Sequence, residues 1–240
     1  MAEVLTTQFW IGLMTIIWVN VILSGDNAVV IALAARSLPE HQQKRAVFWG
    51  AGAAVLMRIV LTIVAVELLK LPYLKLIGAV LLLWIAVKLL VPEDDAGEGI
   101  ESSANLLTAI KTILIADLVM SLDNVIGVAA AAKGSIVLLV LGLLISIPLV
   151  IFGATMLMKL MERFPIIITI GAAILGWVSG EMAVTDPSIV AWVTQNAHWL
   201  DIVGPAAGAV FVVVVGKALA ARASKEEKPA IDLASGGPKA

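Results

Sequence analysis

The chain of 240 residues contains no cysteine, which excludes disulfides, thiolate metal sites and cysteine nucleophiles and leaves the redox compartment undetermined. Histidine is nearly as scarce: His41 and His198 are the only two, and both fall in predicted loops. Charge is sparse, at 14% of residues. No Lys or Arg precedes Arg36, so the amino terminus lacks the basic stretch of a secretory signal and the first apolar run reads as a retained helix. With 16 Lys plus Arg against 18 Asp plus Glu there is no basic surplus to hold nucleic acid. No Gly-rich phosphate loop and no Ser/His/Asp set is present, so transport powered by nucleotide hydrolysis within this chain has no support.

What is present is apolar. Hydrophobic residues make up 61% and mean hydropathy is +1.04, far above a soluble domain, so the chain reads as an all-α polytopic membrane protein in contact with lipid. Apolar runs at 8 to 34, 46 to 69, 73 to 91, 106 to 132, 135 to 158, 165 to 184 and 202 to 221 predict seven transmembrane helices.

An internal duplication organises these spans. Ser24-Gly25-Asp26-Asn27-Ala28-Val29 aligns with Ser121-Leu122-Asp123-Asn124-Val125-Ile126 at an offset of 97. Pro72, Gly78, Trp84 and Lys88 fall opposite Pro165, Gly171, Trp177 and Glu181 at a constant offset of 93. Each unit holds three spans, and an odd number of crossings inverts the second copy relative to the first. The expected division is 1–91 as the first three-helix repeat, 92–105 as an acidic cytoplasmic linker carrying Glu93, Asp94, Asp95, Glu98 and Glu101, and 106–184 as the second, inverted repeat. An external loop and an unpaired seventh helix follow over 185–221, and a disordered cytoplasmic tail over 222–240. Twelve Lys and Arg residues fall in loops or at span ends on one side against three on the other, which predicts an external amino terminus and a cytoplasmic carboxyl terminus in the cell inner membrane.

The charges that remain inside spans are the functional clue. An ionised side chain at mid-bilayer costs roughly 2.5 to 3.5 kcal/mol on insertion scales, so Asp26, Asp117 and Asp123 must face protein, water or a bound cation. Asn20, Ser24, Asn27, Ser121 and Asn124 add oxygen beside them. An oxygen-only set suits a hard divalent cation better than copper or zinc. Residues seven apart share a helix face, which pairs Asn20 with Asn27 and Asp117 with Asn124; Asp26 and Asp123 point about 120° away unless the helix unwinds. Gly25 favours such a break in the first span, whereas Leu122 replaces it in the fourth. Depth along the spans places Asp26 and Asp117 inward of the centre, and Asn20 and Asp123 outward, as two half-sites on one pathway. Arg58, at the centre of the second span, needs a carboxylate partner, either as a counter-ion of the empty site or as a static ion pair.

Trp10, Trp49, Trp192 and Trp199 fall where an aromatic belt is expected, while Trp18 and Trp84 read as packing residues. An intramembrane aspartyl protease is disfavoured, because Leu23-Ser24-Gly25-Asp26 has Leu where that chemistry uses Gly; no enzyme activity and no resident cofactor are expected.

The motifs Leu23-Ser24-Gly25-Asp26-Asn27-Ala28 and Met120-Ser121-Leu122-Asp123-Asn124-Val125 resemble the TerC family of integral membrane proteins, in its short bacterial branch, over about residues 8 to 221. The resemblance implies a LysE-superfamily fold and a manganese exporter, with Asp26, Asn27, Asp123 and Asn124 as metal ligands; Asn20 and Asp117 join them on helical geometry. The expected function is therefore divalent cation efflux, Mn²⁺ first, by alternating access around a central Asp/Asn site. The alternatives are a non-transporting membrane component of a metal-stress or tellurite-resistance complex and an exporter of another cationic solute.

Overall fold

The computed structural model describes residues 7–68, 71–91, 102–132 and 135–226. Among these residues all the regular secondary structure is α-helical. In order the helices are α1 (Thr7–Leu23), α2 (Gly25–Ala35), α3 (Glu40–Leu68), α4 (Leu74–Leu90), α5 (Ser102–Ala132), α6 (Ile136–Arg163), α7 (Ile166–Val184), α8 (Val190–Asn196) and α9 (Leu200–Glu226).

Each predicted apolar run corresponds to one helix, except the first, which is α1 and α2 joined at Ser24. Glu40–Thr62, Ile136–Arg163, Ile166–Val184 and Leu200–Ala223 are long and apolar enough to cross a bilayer, and Phe9–Val21 with Gly25–Ala35, bent by 48°, adds a fifth if the pair is one span. The other two predicted spans are α4, whose 17 residues reach about 25 Å, and α5, with 31 residues and Asp117 and Asp123 within it. The break in the first span falls where Gly25 predicts it, and α5 runs on through Leu122. The short α8 lies in the stretch read as loop. α9 continues to Glu226, past the expected start of the tail at Arg222, because Arg222 to Glu226 holds good helix formers with basic side chains near the negative end of the helix dipole. The linker over 92–101 and the tail over 227–240 lie outside the described residues.

The bundle is filled by Leu33, Leu82, Ile85, Ile113, Met161 and Leu175, each 2% exposed or less, while a separate cluster of Ile16, Val55, Val128, Leu139 and Leu143 packs α1 to α3, α5 and α6. Large apolar side chains also cover the outside. Trp10, Trp49, Trp192 and Trp199 point outward, and so do Trp18 and Trp84, at 65% and 60% exposed, contrary to the packing role expected of them. In lipid an outward indole carries no hydration penalty, so hydropathy does not separate inner from outer faces.

α9 is fastened to α7 through backbone. Gly176 and Gly180 on α7 face Gly204 and Gly208 on α9, and a Cβ added at Gly176 would stand 2.5 Å from the Gly208 carbonyl oxygen. Two small-x-x-x-small stripes thus let the helices touch main chain to main chain.

At one end of the bundle, Asp186 ties the start of α4 to the turn after α7. Its carboxylate accepts hydrogen bonds from the backbone N–H groups of Tyr73 (3.0 Å) and Leu76 (3.2 Å), from the Ser188 N–H (2.8 Å) and from the Ser188 hydroxyl. Tyr73 stands at φ 68, the only non-glycine residue at positive φ among the described residues, and Asp186 holds that strained backbone in place. Burial alone would push the Asp186 carboxyl up; the hydrogen bonds from Ser188, Tyr73 and Leu76 outweigh it and hold the group below the ordinary carboxylate value. A depressed folded-state value stabilises the fold fully above the unfolded value near pH ~3.9 and ceases to do so as pH falls through the folded one. Asp186→Asn is therefore expected to lower thermal stability in detergent near neutral pH, with the gap to wild type closing as the solution is acidified. A gap independent of pH would refute the assignment.

Candidate functional site at the centre of the bundle

Four helices bring polar side chains to one point. Asn20 and Ser24 are four residues apart at the end of α1, Asp117 and Ser121 four apart in the middle of α5, and this spacing puts each pair on a single helix face. Arg58 reaches in from the middle of α3 and Ser146 from α6. All six residues are buried, with Arg58 3% and Asp117 7% exposed.

The guanidinium is the hub. Arg58 Nη2 donates to Asp117 Oδ1 at 2.6 Å, Nη1 to Asn20 Oδ1 at 2.8 Å and to Ser24 Oγ at 2.9 Å, and Nε to Ser121 Oγ at 3.0 Å. The outer hydrogen bonds close the network: Ser121 Oγ donates to Asp117 Oδ2 at 3.2 Å, Asn20 Nδ2 donates to the Ser146 hydroxyl, and Ser146 Oγ donates to the Leu143 carbonyl at 2.7 Å. A buried charge is tolerable only when paired and hydrogen-bonded in this way.

Of the predicted site residues, Asn20, Asp117 and Arg58 meet directly. Because Asn20 and Asp117 share one guanidinium, they stand at one level of the bundle rather than in an outer and an inner half-site. The chain bends by 48° at Ser24, between Asn20 and Asn27. Asp26, half-buried in the first turn of α2, accepts the Asn27 N–H at 2.8 Å, and the buried Asn27 amide has no hydrogen-bond partner on either Nδ2 or Oδ1. Asn124 is buried on α5, and the Asp123 side chain lies outside the described part of the structure. Among the described residues no group of three or more His, Cys, Asp or Glu side chains gathers as a metal cluster. The central oxygen set has one carboxylate, Asp117, and three neutral oxygens.

Ser146 was not legible in the sequence: a serine in an apolar helix satisfies its own backbone and leaves no mark in hydropathy.

The sequence matches the family model described as "Integral membrane protein TerC family" over residues 5–226. The chain belongs to the TerC family. Among its TerC relatives, the "Uncharacterized membrane protein YjbE" of Bacillus subtilis (strain 168) is 42% identical over 189 residues, covering 79% of this chain and 86% of the relative. The "Uncharacterized membrane protein YkoY" of the same organism is 26% identical over 202 residues, 76% of this chain and 62% of that one. The "UPF0053 inner membrane protein YgdQ" of Escherichia coli (strain K12) is 26% identical over 174 residues, 65% of this chain and 73% of its own length. No solved structure matches this TerC chain.

Proposed function

We infer that this chain exports a divalent metal cation, Mn²⁺ first among the candidates, by alternating access about the network of Asn20, Ser24, Asp117 and Ser121, with Asp26, Asn27, Asp123 and Asn124 as further ligands. The observation that carries the reading is an oxygen-only site in the middle of an apolar bundle, already wrapped around a cationic group. Carboxylate, amide and hydroxyl oxygens are the ligands that hard cations prefer, and intramembrane acids mark ion pathways. The buried Asn27 amide, in the first turn of α2 and without a hydrogen-bond partner, supplies a further polar group near the break.

Alternating access calls for two inverted halves, with α1 to α4 as the first, α5 to α7 as the second and α9 as the added seventh span. The helix contacts support that division. Exchanging α1/α2 with α5, α3 with α6 and α4 with α7 turns the packing of α1 and α2 on α6 into that of α5 on α3, and α4 on α5 into α7 on α2; α4 on α7 and α3 on α6 map onto themselves. The membrane in question is the bacterial inner membrane, with the amino terminus outside.

In inverted vesicles, purified and reconstituted or native, Mn²⁺ uptake above a control without the protein is the expected result, stronger than for Mg²⁺ or lysine. The closed hydrogen bonding of the network also favours the scaffold reading, in which the polar groups serve assembly alone. Absence of uptake for every divalent cation, together with Mn²⁺-independent thermal stability, would select that reading.

A further inference from the structure

We propose that Arg58 is a tethered rival of the transported cation: its guanidinium occupies the substrate's own seat and must leave before a metal ion can bind. The proposal rests on the cation-transport reading of the same site and adds what keeps that site closed when no substrate is present.

The geometry carries it. Asn20 Oδ1 on α1, Ser24 Oγ at the α1–α2 joint, and Asp117 Oδ1 and Ser121 Oγ on α5 all accept from the one guanidinium at 2.6 to 3.0 Å. Asp117 neutralises the charge, and the remaining N–H groups of the buried guanidinium take the other acceptors. The three neutral oxygens add a solvation shell like the one a bare cation requires. A divalent ion replacing the guanidinium would draw the same four oxygens inward from hydrogen-bonding to coordination distance, with Asp117 as the shared countercharge. Two cations cannot hold these acceptors together, since the attraction that binds either one to Asp117 becomes repulsion between them.

The displaced guanidinium has somewhere to go. Asp26, in the first turn of α2, lies two residues beyond Ser24, which already accepts from Arg58, and no ion pair to Asp26 occurs among the described residues. Transfer of Arg58 from Asp117 to Asp26 would keep it paired while the substrate occupies the central seat, so Asp26 would ligate the metal only at a step when Arg58 is back on Asp117. The bend of 48° at Ser24 precedes Asp26 and carries one of the guanidinium's acceptors, so it is the element such a transfer would bias.

When a binding-competent state is only a fraction of the population, apparent affinity falls by that fraction, and removing the competitor restores it. Arg58→Gln in the full chain in detergent is therefore expected to bind Mn²⁺ about tenfold more tightly than wild type or better, and to transport it more slowly, because release loses its driving rival. Arg58→Lys keeps the charge but cannot bond all four oxygens at once, so its Mn²⁺ affinity is expected between the two. Titrations with MnCl₂ and vesicle transport read both quantities. A folded Arg58→Gln protein that binds Mn²⁺ no more tightly than a binding-competent wild type overturns the proposal and leaves the transport reading standing. Should Arg58→Gln fail to fold, Arg58→Lys decides: affinity equal to or below wild type overturns the proposal. Wild type that neither binds nor moves any divalent cation overturns the transport reading itself.

Discussion

Replacing Asp117 with Ala is expected to abolish Mn²⁺ transport and to destabilise the folded protein by about 3 to 5 kcal/mol, the penalty typical of removing one partner from a buried ion pair. Arg58 is 3% exposed, and without Asp117 its charge would be solvated only by Asn20, Ser24 and Ser121. The neutral oxygens soften the loss without cancelling it, since a formal charge in a low-dielectric interior needs an opposite one. Unfolding in mixed detergent micelles, read by circular dichroism, measures the stability part. The double variant Asp117→Leu/Arg58→Met separates the causes: removing both charges should recover most of the stability while transport stays absent, because an apolar pair can replace a buried ion pair in folding and cannot bind a cation. Asn124→Ala, outside the guanidinium's hydrogen bonds, should reduce transport less than Asp117→Asn. Equal losses would count against the central role given to Asp117.

The second large effect is expected at the α7 and α9 contact. A Leu at Gly208 would drive its side chain into the main chain of α7 around Gly176, and a carbonyl held in a helix has no rotamer with which to give way. Overpacking of this kind usually costs 1 to 3 kcal/mol where side chains can adjust; against backbone we expect about 3 kcal/mol or more, with α9 released from its seat. Loss of this contact should raise the protease susceptibility of α9 and lower the melting temperature in detergent. Gly52→Ala is the control, because nothing lies within 4 Å of a Cβ there and the site is inside α3; it should stabilise by about 0.5 to 1 kcal/mol. A Gly208→Leu protein as stable as wild type would mean that the close approach contributes nothing.

These two contacts differ in how far the sequence announces them. Asp117 and Arg58 stand out because a charge inside an apolar run has an unavoidable cost, so its position alone says that a partner exists. Helical spacing then places Ser121 beside Asp117 and Ser24 beside Asn20, as found. What spacing does not carry is the relation between helices: that Asn20 and Asp117 meet at one guanidinium follows from the packing of α1, α3 and α5, and the depth estimated along each span by itself separates them. The extension of a face from Asn20 to Asn27 assumes an unbroken helix, and the structure bends by 48° between them. The glycine contact of α7 with α9 left no trace in hydropathy, since glycine, alanine and their larger apolar neighbours all read as membrane-compatible. For the same reason the outward positions of Trp18 and Trp84 were not legible. The family itself was legible from two Asp-Asn motifs, because polar pairs inside spans are rare enough to be distinctive.

The pairing of Arg58 with Asp117 also bears on how the protein is made. The two residues are 59 positions apart, on α3 and α5, so a ribosome releases the arginine before its carboxylate exists. At roughly 5 to 20 residues per second the interval lasts several seconds, during which α3 must lodge in or beside the membrane with an uncompensated charge. Asn20 and Ser24, already synthesised on α1, are the only oxygens of the network able to shelter it in that interval. A nascent chain arrested between α4 and α5 would thus hold its most polar helix by two neutral hydrogen-bond acceptors, and the arrival of α5 would seal the bundle.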